Sequence, residues 1–113
     1  MTGDKDRLTD ILEGIARVEK YAVSGKEAFL RDELIQTWIV HNIQIVGEAA
    51  GKLSRDFRAL HPEVPWPQIA GMRNIIVHDY FGIDLDQVWQ VVERDLPVLR
   101  GQVESFLKSF PQQ

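Results

Sequence analysis

The chain has 113 residues, 44% of them hydrophobic and 27% charged, with a formal net charge of −4 and no cysteine. That length and balance fit a single domain over residues 1–113, with a core modest enough for a second copy or a partner to add useful burial. They exclude disulfides and thiolate metal sites. The overall field does not draw nucleic acid, so any phosphate must be held by a local cluster of cations.

The first predicted element is a helix over residues 6–22. Leu8, Ile11, Leu12, Ile15, Val18 and Tyr21 keep the three-and-four spacing of one face, and Arg7, Asp10, Glu13, Arg17 and Lys20 fall mostly on the other. The polar, mixed-charge start does not resemble a secretory signal. The most apolar region, residues 34–50, is interrupted by Gln36, His41, Asn42, Gln44 and Glu48, so no membrane span is expected and the cytoplasm is the expected location.

Ser24 and Glu27 have the spacing of a capping box, and Asp32 is a second possible cap. A long helix is predicted to follow, ending near Ser54. Its stripe comprises Leu34, Ile35, Trp38, Ile39, Ile43, Ile45, Val46, Ala49, Ala50 and Leu53. Two roles fit a stripe this wide: the central helix of a bundle, or a helix that meets both its own core and a second surface. A short helix over 55–61 comes next. Pro62, Pro65 and Pro67 then impose a stiff, extended connection.

Pro67 suits the first position of another helix, expected over 67–81 with Gly82 as its stop. Asp84 and Gln87 form a second capping-box pattern. The last helix carries Val88, Val91, Val92, Leu96, Leu99, Val103, Phe106 and Leu107 on one face. Pro97 lies inside it and predicts a kink rather than an end, because the stripe continues past it. Residues 111–113 read as a frayed tail. With no strand-period alternation, the expectation is an all-α bundle of four main helices.

Chemistry concentrates in the helix over 67–81. Arg73, Asn74, His78 and Tyr80 flank an apolar run, Ile75-Ile76-Val77. Polar groups in such a stretch are costly unless hydrogen-bonded or useful. Arg73 offers a planar fork of donors suited to phosphate, and His78 can give or take a proton near neutral pH. Together they suit phosphodiester cleavage, in which proton transfer of this kind is worth on the order of 10²–10⁴-fold in rate. An RNA substrate supplies its own 2′-OH nucleophile, so no metal is required.

Helical arithmetic constrains that pair. A five-residue step on a straight helix leaves Arg73 and His78 roughly 140° apart. Asn74 shares a face with His78 and could orient it, and Arg73 shares one with Tyr80. Convergence of Arg73 and His78 needs a long reach by Arg73, a helix end near His78, or a second copy alongside. The competing role for all four residues is a buried polar network or an interface lock. Glu48 is a candidate to pair with Arg73 or orient His78, against the plainer role of a surface carboxylate.

The other features are weaker. His41, among apolar neighbours, is expected in the core or an interface, and His61 in an exposed loop. The histidines are 20 and 17 residues apart, so no metal site is expected. Lys52, Arg55 and Arg58 form a small basic strip that reads as a solvated face or an RNA-backbone contact. Trp38, Trp66 and Trp89 are expected as core or interface anchors.

The stretch Arg73-Asn74-Ile75-Ile76-Val77-His78-Asp79-Tyr80 resembles the Arg-x4-His-x-Tyr motif of HepT-like toxins, in the HEPN superfamily. Ile45-Val46-Gly47-Glu48-Ala49-Ala50, His61-Pro62-Glu63-Val64-Pro65-Trp66, Ile69-Ala70-Gly71-Met72, Val88-Trp89 and Asp95-Leu96-Pro97 are similar to that family in the same order. Asp79 departs from the pattern, where relatives often carry glycine, and places a carboxylate beside the site.

The resemblance implies a HEPN-type helical bundle that dimerises, with the motifs of two protomers meeting at a cleft. It implies a cofactor-free, metal-independent endoribonuclease with Arg73 and His78 catalytic. It further implies the toxin of a type VII toxin–antitoxin pair, neutralised when an MntA-like nucleotidyltransferase antitoxin transfers AMP to Tyr80. The alternative is a non-catalytic helical module that binds a nucleotidyltransferase.

Overall fold

The computed structural model describes residues 3–77 and 84–110, and of residues 74–77 the backbone alone. Most of the predicted stripe of the first helix is buried: Leu8, Ile11, Ile15 and Val18 lie at 0% exposure along α1 (Asp4–Ala22), Leu12 is partly buried, and Tyr21 at the end of the stripe is exposed. The helix starts two residues before the predicted boundary. Asp4 and Asp6 favour its positive end, and the Asp4 carboxylate accepts from the backbone N–H and the hydroxyl of Ser54, each at 2.7 Å.

α1 gives way to α2 (Lys26–Arg31) through Gly25, whose φ of +93° reverses the chain where a side chain would be strained. The capping box expected from Ser24 does not form. Gly25 takes the N-cap position and no side chain caps α2, because the turn leaves Ser24 one residue too early. The long helix expected next is interrupted at Asp32, whose backbone is extended. Its carboxylate accepts from Leu34 N–H at 2.9 Å and Ile35 N–H at 3.3 Å, starting α3 (Glu33–Gly51). The Gln36 amide donates to the Phe29 and Leu30 carbonyls, satisfying groups the break leaves open.

Ser54 caps α4 (Arg55–Leu60) by accepting from Phe57 N–H at 3.0 Å. The proline loop leads into α5 (Trp66–Val77), which begins one residue before Pro67. The predicted continuation over 78–81 and the stop at Gly82 lie outside the described residues. Asp84 caps α6 (Leu85–Gln90) through Gln87 N–H at 3.1 Å. A π-helical turn, Val91–Asp95, joins α6 to α7 (Leu96–Ser109).

That turn is how the chain accommodates Pro97. Proline has no N–H, and its ring clashes with the carbonyl four residues back. The widened turn shifts the ladder, with Leu96 N–H reaching the Val91 carbonyl five residues away. The helix is perturbed rather than ended, as the continuous stripe predicts.

α1 packs on α3 and α7, and α5 packs on the other flank of α3. Phe29 and Trp89 close the core, with ring centroids 5.4 Å apart. The architecture is an all-α bundle, with no strand and no helix long and apolar enough to cross a membrane among the described residues.

The structure sharpens the reading of two histidines. His61 is not a free loop residue: its ring sits 4.1 Å from Phe106 and 4.6 Å from Phe57 between centroids, and Nδ1 lies 3.5 Å from Glu63. Trp66 Nε1 donates to the His61 carbonyl at 2.9 Å and draws the loop inward. His41 is not in the core: it is exposed on the single chain, on the face of α3 away from the bundle. The apolar neighbours that placed it inside, Ile39 and Ile43, turn to the other side of α3 and bury there.

Candidate functional site

α5 lies across the C-terminal half of α3 at Gly47, and this crossing puts Arg73 above the last turns of α3. The Arg73 guanidinium reaches Glu48, with Nη1 and Oε1 3.7 Å apart. Both side chains are about half exposed, at 54% and 51%. Arg73 is therefore not locked into a buried network. It stands at the surface as a cation with free solvent access, held by a long ion pair that an incoming anion can replace.

Of the site residues expected from sequence, Arg73 and Glu48 are brought together. Asn74 lies on the last described turns of α5, where the backbone alone is described, and His78, Asp79 and Tyr80 lie outside the described residues. Lys52, at the α3 C-cap, and Arg55 are exposed, and Arg58 is half-buried. No group of three metal-ligating side chains occurs among the described residues.

The wide stripe of α3 divides in two. Ile39, Ile43, Val46, Ala49 and Ala50 enter the core. Leu34, Trp38, His41 and Glu48 stay exposed and Ile45 half-buried, although Leu34 is fully apolar and 82% exposed. These five alternate by four and three residues, the spacing of a helix–helix seam, so they form one line that ends at the Glu48–Arg73 pair. Trp38 is anchored within it: its indole N–H donates to the Arg17 carbonyl at 2.7 Å, and Tyr21 packs edge-on at 5.4 Å. Trp66 and Trp89 are core anchors, at 4% and 8% exposure.

A separate depression of about 350 Å³ lies between α5 and α7, lined by Gln68, Ile69, Met72, Arg94, Leu99 and Gln102 among others. Neither Arg73 nor Glu48 contributes to it. The candidate site is an open surface on the α3–α5 ridge.

A family model described as "Ribonuclease HepT-like" matches residues 11–106. The chain is 39% identical over 105 residues to "Probable ribonuclease HepT" of Thermococcus cleftensis, covering 92% of this chain and 96% of the relative. It is 36% identical over 98 residues to "Putative RNase MJ1380" of Methanocaldococcus jannaschii, covering 86% and 90%. It is 37% identical over 91 residues to "Putative RNase TTE0752" of Caldanaerobacter subterraneus subsp. tengcongensis, covering 80% and 81%. No solved structure matches the chain. The match spans α1 to α7 and takes in the Arg73–Glu48 ridge: this chain belongs to the ribonuclease HepT-like family.

Proposed function

We propose that this protein is a metal-independent endoribonuclease acting through Arg73 and His78, the toxin of a HepT/MntA-like toxin–antitoxin pair. The observation that carries the chemistry is the half-exposed Arg73 guanidinium, offered at the surface and shared with Glu48 through a long pair. A phosphate oxygen can take the place of the Glu48 carboxylate. Arg73 then holds the charge that builds on the phosphorus oxygens as the 2′-OH attacks. His78 moves the proton, and Asn74, four residues earlier on the helix, orients its ring.

A second copy of the chain completes the site. The uncovered seam on α3 supports this role, since Leu34, Trp38 and Ile45 along it gain burial when a like seam covers them. Two such protomers bring two Arg73 side chains to one cleft. This answers the constraint that Arg73 and His78 face apart on a straight helix. The homodimer is neutralised by a nucleotidyltransferase that transfers AMP to Tyr80. The resulting phosphodiester is an anion tethered near Arg73, where it excludes RNA by charge and bulk.

The test is cleavage of defined RNAs by purified wild type, Arg73→Ala and His78→Ala proteins with a chelator present, followed by analysis of the 3′ ends. Wild type should leave cyclic phosphate ends, and each variant should lose cleavage while staying folded. Undiminished cleavage by His78→Ala would defeat the mechanism. No cleavage by wild type, together with retained binding to the nucleotidyltransferase, would favour the interaction module instead.

A further inference from the structure

The α3–α5 crossing depends on one residue that carries no functional group. A Cβ built on Gly47 would lie 3.0 Å from Arg73 N, 3.2 Å from the Ile69 carbonyl and 3.3 Å from the Ala70 carbonyl. All three neighbours are α5 backbone, which cannot rotate away as a side chain would. The other glycine near this crossing differs: a Cβ on Gly51 would meet only Ala70 Cβ, at an ordinary 3.8 Å. Gly71, on α5 itself, faces open space. The tight approach is thus specific to position 47, and its nearest atom belongs to Arg73.

We infer that Gly47 is a positioning residue for the Arg73 site: its missing side chain sets the height of Arg73 over α3 and so the reach between the guanidinium and Glu48. This rests on the ribonuclease role proposed for Arg73. Glu48 follows Gly47 directly, so one turn of α3 controls both the backbone and the head group of Arg73. Any side chain at 47 lifts α5 by a few tenths of an ångström at the Arg73 amide. A displacement near 1 Å can cost about 10²-fold in rate, so a shift of this size is expected to cost about tenfold. The loss falls on kcat more than KM. A long, half-exposed arginine still finds a ground-state phosphate, whereas charge developing in the transition state needs a fixed geometry.

The test compares Gly47→Ala with Gly51→Ala, which adds the same methyl one turn away without the clash. Gly47→Ala should lower kcat for RNA cleavage about tenfold with KM within threefold, and should move the Arg73 Nε–H resonance. Gly51→Ala should match wild type in both. Wild-type kcat in a folded Gly47→Ala protein, or an unmoved Arg73 resonance, overturns the inference. Should Gly47→Ala fold poorly, it is repeated with Gly101→Ala, an exposed helical position whose added Cβ meets nothing within 4 Å. Failure to fold there as well would make Gly47 a general packing residue and overturn the positioning role. If wild type itself cuts no RNA, the ribonuclease role fails, and the Arg73 resonance alone decides whether Gly47 places that side chain.

Discussion

Replacing Glu48 with glutamine keeps the shape of the side chain and removes its charge from Arg73. The pair spans 3.7 Å between two half-exposed groups. Pairs of this kind contribute about 0.2–1 kcal/mol once solvent screening and side-chain entropy are included. Two consequences follow from that small figure. The fold should hardly notice: a loss of at most ~1 kcal/mol moves the Tm by no more than about 5 °C in a domain of this size. RNA binding should tighten, because a phosphate no longer competes with the carboxylate. The same energy converts to about a 1.4- to 5-fold lower Kd. The assay is fluorescence anisotropy with a labelled RNA, in a His78→Ala background so that the RNA stays intact. Unchanged or weaker binding by Glu48→Gln would refute the idea that Glu48 is a clasp which yields Arg73 to phosphate. A fall in Tm far beyond the stated range would show that the pair is structural.

Further expectations concern the frame that carries the site. Asp32→Ala removes the two-bond cap of α3 and should cost about 1 kcal/mol, read as a lower urea midpoint with the slope unchanged. A Cβ on Gly14 would lie 2.8 Å from Val46 Cγ2, on a fully buried β-branched residue. Gly14→Ala should therefore lose about 1 kcal/mol net, overpacking outweighing the helix propensity gained. A higher Tm for Gly14→Ala would show that α1 and α3 can move apart freely.

Periodicity made the buried stripes of α1 and α7 legible, because each of those helices turns a single apolar face to the core. Capping was legible where a side chain could reach the right N–H, as at Asp32 and Asp84. It misled at Ser24, where Gly25 adopts a positive φ and takes the cap position itself. His61 was misjudged for a related reason. The prolines predict an extended loop, but only packing of α4 against α7 shows that Phe57 and Phe106 enclose the ring. For His41 the sequence left core and interface open, and the fold removes the core because Ile39 and Ile43 bury on the other side of α3.

The amino-acid sequence alone determined the helical class, the stripes that build the core, and the family-like motif that singles out Arg73, because these depend on local spacing and residue chemistry. The tertiary structure decided which face of α3 remains open, that Glu48 comes within 3.7 Å of Arg73, and why a glycine stands at 47. Those are properties of how close two helices come and on which side. No spacing along one chain encodes that distance until both backbones are in place.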